Sequence, residues 1–220
     1  MDTDSTPDQG NDSARVPLLE ARNLTLWRGE RCLFENLSFE LAAGELVHLK
    51  GSNGCGKTSL LRVICGLTLP ENGEVLWRNT KVLSSRTDFH AEMSYVGHRE
   101  SLKAELSAEE NLTHDLGLRR DLESGAVQDA LTKVQLQNAM TIPSRSLSAG
   151  QKRRVSLARC LASKSRLWIL DEPYTNLDIA GRLLVDSMMT NHLRQDGIVL
   201  LVAHQNHGVD HHTIKHLEMD

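Results

Sequence analysis

The octapeptide Gly51-Ser52-Asn53-Gly54-Cys55-Gly56-Lys57-Thr58 has the residue types and spacing of a phosphate-binding loop. Its glycines let several backbone N–H groups converge on one anion, and a helix opening at its end adds the positive end of a dipole. Lys57 is placed to reach β- and γ-phosphate oxygens, and Thr58 to offer a hydroxyl to Mg²⁺. Cys55 inside the loop is a small space-filler whose oxidation would block nucleotide. Far downstream, the run Leu167-Trp168-Ile169-Leu170 ends in Asp171-Glu172. Asp171 is a candidate for holding Mg²⁺, and Glu172 for polarising the water that attacks a γ-phosphate. His204 closes a second apolar run and could hydrogen-bond that phosphate or that water. Taken singly, Asp171 could cap a helix, Glu172 could sit in a solvated loop and His204 could be structural. Together with the loop they point to attack by water on the γ-phosphate of a bound nucleotide.

These groups need strands and helices to bring them together. Residues 18–27 and 32–39 read as strands joined by a turn at Arg28-Gly29-Glu30, which predicts an antiparallel portion near the N-terminus. The run ELVHLKG follows as a strand in which Val47 and Leu49 alternate with polar positions, and leads into the loop. Asn72-Gly73 reads as a turn before a strand over 74–77. The middle is helical: Ser107 and Glu110 have capping-box spacing, and Val127, Ala130, Leu131 and Val134 form one apolar helix face. Residues 167–170 and 198–203 are continuous apolar runs, as in buried parallel strands, with a helix predicted over 178–195 between them. Asp171, Glu172 and His204 thus fall at the carboxyl ends of strands, where open α/β sheets bind ligands.

The stretch Leu147-Ser-Ala-Gly-Gln-Lys-Arg-Arg154 poses an electrostatic question. Ser148 and Gln151 make a capping box for a helix running to about Ser163. Yet Gly150 and three cations crowd the helix start, where the dipole disfavours positive charge. An anion close by would account for both.

At this point the chain resembles the ABC-type ATPases. GSNGCGKT, LSAGQ, LWILDEP, the Asn176-Leu-Asp178 triplet and His204 occur in the family's order and spacing, over roughly residues 18–219. LSAGQ is the specific part, because other phosphate-loop proteins lack it. Within the family, LLEARNLTLWRGERCLFENLSFELAAGE, GEVLW and YVGHRESLKAELSAEENL are most similar to ATP-binding subunits of cytochrome c maturation exporters. The resemblance implies an α/β fold, with a phosphate-loop core sheet, an N-terminal antiparallel β portion and a helical subdomain inserted at about 98–162. It implies two copies sandwiching two ATP molecules, so that Ser148, Gly150 and Gln151 face the nucleotide of the other copy. It implies membrane partners, a CcmB-like permease with small associated proteins, haem delivery for c-type cytochromes, and a peripheral place on the cytoplasmic face of the inner membrane.

Three departures from the family pattern stand out. His98 occupies the position of the usual Mg²⁺-contacting glutamine, and an imidazole ligates Mg²⁺ poorly compared with an amide oxygen. The aromatic residue that covers adenine aligns with Arg28, with Trp27 beside it, and either could cover the base. Ala149 replaces a glycine and is small enough to be tolerated.

Composition narrows the class further. The 220 residues are 40% hydrophobic and 25% charged, ordinary for one globular domain. A net charge of −4 excludes a global basic field for nucleic acid. No apolar run reaches the ~20 residues that span a bilayer, so transport requires a separate membrane protein. Residues 1–16 are acidic and polar and are expected to form a disordered tail. The four cysteines show no paired spacing, which fits free thiols. His204, His207, His211, His212 and His216 crowd the C-terminal segment, as a polar end or a metal or haem site. A non-transport ABC ATPase with soluble partners, and a phosphate-loop regulator with little turnover, are the rival classes.

Overall fold

The computed structural model describes residues 16–118, 122–210 and 213–219; the expected tail lies almost wholly outside them. Strand β1 (Pro17–Arg28) turns at Gly29 into β2 (Arg31–Ala42), and β1 also pairs with β4 (Asn72–Trp77), which pairs with the short β5 (Thr80–Lys81). This antiparallel sheet has the order β2-β1-β4-β5. The second sheet is parallel, in the order β6 (Met93–Val96), β7 (Leu167–Asp171), β8 (Ile198–Val202), β3 (Leu46–Gly51), β9 (Ile214–Met219). Strand β3 therefore delivers the phosphate loop between β8 and β9.

The parallel sheet is covered on both faces, as its apolar strands require. Leu167 and Ile169 of β7, with Ile198 and Leu200 of β8, face Leu60 and Ile64 of α1 (Lys57–Ile64) and the antiparallel sheet. Trp168 and Leu170, with Val199 and Leu201, face the helical side. That side is built from α3 (Ala108–Gly117), α4 (Ala126–Lys133), α5 (Ala149–Ser163) and α6 (Ile179–Arg194). A short α2 (Arg86–Ala91) leads into β6.

The capping boxes form at both expected sites. Glu110 N–H donates to Ser107 Oγ and Ser107 N–H to Glu110 Oε2, starting α3. Gln151 N–H donates to Ser148 Oγ and Ser148 N–H to Gln151 Oε1, starting α5. Asp178 caps α6 through the N–H of Gly181.

Two strand expectations need correction. Asn72-Gly73 lies inside β4 rather than forming a turn before it, opposite a bulge in β1: the register shifts between Arg22 and Thr25, so that Asn23 and Leu24 together face Gly73. Gly73 has φ +87°, and a side chain there would collide with the carbonyls of Arg22 and Asn23. In β3, the alternation of Val47 and Leu49 with polar positions is not a buried and a wet face, because Leu46 through Leu49 are all buried, His48 included. A central strand of a covered parallel sheet has no wet face to offer.

Candidate functional site

The loop between β3 and α1 opens a cleft of about 770 Å³. Arg28 and Leu33 from the β1–β2 hairpin, Asn53, Gly54, Gly56, Lys57 and Thr58 of the loop and the start of α1, Tyr95 of β6 and His98 after it, Asp171 at the end of β7 with Glu172 and Thr175 after it, and His204 after β8 all contribute to its wall; Cys55 is buried beneath the loop. Gly51, Gly54 and Gly56 all have positive φ, which turns the loop back on itself at the head of α1. The Lys57 ammonium folds into this turn, donating to the carbonyls of Gly51 at 2.8 Å and Ser52 at 2.9 Å.

The metal candidates meet. Thr58 Oγ1 donates to Asp171 Oδ2 at 3.2 Å, across the gap between α1 and β7. Asp171 is only 3% exposed. Burial pushes its carboxyl above the usual carboxylate range, against the pull of the Thr58 hydroxyl and of nearby His98, Arg153 and Lys57. Two hard oxygen donors beside a phosphate loop suit Mg²⁺.

Glu172 follows in the left-handed region, with φ 53°. Such a backbone is uncommon for a residue that carries a Cβ, and gathers at functional sites. Its N–H donates to Val202 O at 2.8 Å, binding the β7 end to β8. Its Oε1 is buried without a hydrogen-bond partner, and His204 Nε2 lies 3.5 Å away. The imidazole itself is half exposed.

The remaining expected residues divide. Arg28 lines the cleft while Trp27 does not, because successive strand residues face opposite ways; Trp27 N–H instead donates to Glu71 Oε2. Exposed His98 lines the cleft. Ser148, Gly150 and Gln151 do not reach this chain's own cleft: they form the N-terminus of α5, with Ser148 exposed.

The electrostatic oddity of that helix start has an internal answer. A side chain at Gly150 would come 2.9 Å from the carbonyl of Asn176. Arg153 is fully buried and donates to the carbonyls of Gly97, Asp171, Glu172 and Pro173. Arg154 reaches Gln135 Oε1 at 3.0 Å and Asp178 Oδ1 at 3.4 Å. Two of the three cations, and the glycine, thus have partners inside the chain, and the anion expected at this helix start is not needed to account for them.

Sequence reasoning missed three contributors. Arg153 was visible only as a misplaced charge. Tyr174 and Asp186 gave no signal: Tyr174 Oη donates to Asp186 Oδ1 at 2.6 Å, and Asp186 Oδ2 accepts from Gly208 N–H at 3.0 Å. This ties the segment after Glu172 to the segment after His204 through α6. Of the C-terminal histidines, His207 and His216 gather on buried His48, with ring centroids 5.2 and 5.7 Å from it. His211 and His212 lie outside the described residues, among which no group of three metal-ligating side chains is arranged to hold a metal.

The model of the ABC transporter family matches residues 34–175, from the β1–β2 hairpin past Glu172.

The chain belongs to the ABC transporter family.

It is 44% identical over 203 residues to a protein of Vibrio cholerae serotype O1 named cytochrome c biogenesis ATP-binding export protein CcmA, covering 92% of this chain and 98% of that one. A protein of the same name from Nitrosomonas europaea is 42% identical over 203 residues, covering 92% and 95%. Among solved structures, a dimeric post-hydrolysis state of the ATP-binding cassette MJ0796 with ADP and phosphate superposes with a TM-score of 0.77 at 25% identity, over 85% of this chain and 88% of that one. An ATP-binding subunit of an ABC transporter gives 0.77 at 24% identity, over 85% and 79%, which speaks for the fold. As an ABC family member the chain is an ATP-binding, ATP-hydrolysing subunit, and among its described residues no helix is long and apolar enough to cross a membrane.

Proposed function

We propose that this chain hydrolyses MgATP to drive an export complex acting in cytochrome c biogenesis, with haem delivery as the task served. The kinship to CcmA proteins over nearly their full length supports the pathway. The observation that carries the chemistry is Glu172 Oε1, buried in the cleft wall without a hydrogen-bond partner and 3.5 Å from His204 Nε2.

In this reading Lys57 exchanges the carbonyls of Gly51 and Ser52 for β- and γ-phosphate oxygens, and the loop amides complete the cradle. Arg28 covers the adenine by guanidinium stacking. Thr58 and Asp171 would hold Mg²⁺, which supplies charge neutralisation on the phosphates when bound. Glu172 Oε1 accepts a hydrogen bond from the attacking water and so aims its lone pair at the γ-phosphorus. His204 Nε2 donates to a γ-phosphate oxygen, and His98 orders water at the same edge. Positioning and charge do most of this work, because phosphoryl transfer asks little covalent chemistry of the protein.

Two copies sandwich two nucleotides, with Ser148, Gly150 and Gln151 of each facing the other's ATP. The complex sits at the cytoplasmic face of the inner membrane through a CcmB-like permease. Glu172→Gln is expected to keep ATP binding and slow hydrolysis at least ~100-fold; near-normal turnover removes Glu172 from its role. Co-purification from membranes tests the partner: recovery of a soluble complex without an integral protein overturns the export reading.

A further inference from the structure

Arg153 is 0% exposed and sits on the second turn of α5. A buried guanidinium needs acceptors for a fork of five N–H groups. Here Nε donates to Pro173 O at 3.2 Å, Nη1 to Gly97 O at 2.7 Å, and Nη2 to Asp171 O at 2.9 Å and Glu172 O at 2.6 Å. Three of the four acceptors are consecutive carbonyls where β7 ends. They bracket the left-handed Glu172, a backbone state that persists only where its surroundings hold it. The fourth carbonyl belongs to the residue before His98.

The fork also spans three elements. It joins the helix that begins at Ser148 to the β7 end and to the segment after β6. A one-ångström error in the place of a catalytic group is enough to cost a large factor in rate. We propose that Arg153 is the positioning residue that holds Glu172 and His98 in catalytic register with the N-terminus of α5. Displacement of that helix start, as by contact with a second copy, then moves the Glu172 carboxylate with it. This inference rests on the reading of Glu172 as the group that polarises water.

The charge of Arg153 is held in place by more than carbonyls. Burial pulls its basicity down, and the negative potential of Glu100, Asp171 and Glu172 pulls it back up. Lysine at this site keeps the cation but only three donors on a single nitrogen, and cannot bracket three consecutive carbonyls in one plane.

The test compares Arg153→Lys, Arg153→Gln and Glu172→Gln in the full chain. Turnover, affinity for a fluorescent ATP analogue and melting temperature are measured for each. Arg153→Lys is expected to keep analogue affinity within about twofold and to lower kcat about tenfold or more, with a larger kcat loss in Arg153→Gln. Unchanged kcat in folded Arg153→Lys overturns the proposal. So does loss of kcat and affinity together with the folded state in both variants, which marks a structural anchor only. If Glu172→Gln turns over normally, the reading of the site fails first; if it is dead while Arg153→Lys is fast, only the positioning role fails.

Discussion

Thr58 Oγ1 donates to Asp171 Oδ2, so the first helix after the phosphate loop is fastened to the far strand of the cleft by the two groups suited to a metal ion. The same hydrogen bond has to open when a cation takes both oxygens. It holds the pair close in the meantime.

Asp171→Asn separates function from stability. Folding raises the pKa of this buried carboxyl above its ordinary 3.8. In the window above 3.8 the folded state therefore binds the proton more tightly than the unfolded chain, and stability falls as pH rises through it. An amide of the same shape removes that cost and still accepts from Thr58. The variant is expected to melt higher than the parent at pH 7 without nucleotide, yet lose Mg²⁺-dependent turnover about 100-fold or more. Thermal unfolding with and without Mg²⁺ checks it, and a lower melting temperature contradicts it.

Ser148→Arg addresses the second copy. The substitution removes the N-cap of α5, at about 1 kcal/mol, and puts a long cation on an exposed helix start that does not touch the chain's own cleft. Nucleotide binding by monomers should be intact and ATP-dependent dimerisation lost. Gel filtration with ATP in a Glu172→Gln background reads this directly; dimers at the parent's ATP concentration would show that Ser148 does not face a partner.

Acid should destabilise the protein through buried His48 and the partly buried His192 and His207. Burial lowers the pKa of His192 from 6.5 to about 4, and lowers His48 and His207 as well. His192 stacks on Trp168 with ring centroids 3.9 Å apart and donates from Nε2 to Arg166 O. Between about 4 and 6.5 the unfolded chain binds protons that the folded state excludes, so stability is full above 6.5 and falls as pH drops toward 4. Each group contributes at most about 1.4 kcal/mol per pH unit. Urea midpoints at pH 7.5 and 5 should differ less in His192→Gln than in the parent; an equal difference refutes the assignment.

Much of this was legible in the chain because the signals are local. Ser107 with Glu110, and Ser148 with Gln151, are partners three residues apart, and both boxes form. The runs ending at Asp171 and at Ala203 are continuous and apolar because both faces of β7 and β8 are covered. What stayed hidden depends on contacts between distant segments. Arg153 takes its acceptors from residues 97 and 171–173, and all four are backbone carbonyls, which leave no mark on residue type. The cation was visible and its partner was not. His48 looks polar in sequence, but donates to Ala203 O from inside the sheet. Asn72-Gly73 has turn chemistry and is used inside a strand, opposite a bulge in β1 whose backbone passes too close to Gly73 for a side chain.

The chain Tyr174–Asp186–Gly208 has a kinetic implication. It joins the segments that carry Glu172 and His204 to one helix before any substrate arrives. Two groups fixed to a common support share one set of thermal excursions instead of two. The search for a reactive alignment then shrinks to the movement of the nucleotide and its water, and the entropy of aligning the protein's own groups is spent during folding rather than in each turnover.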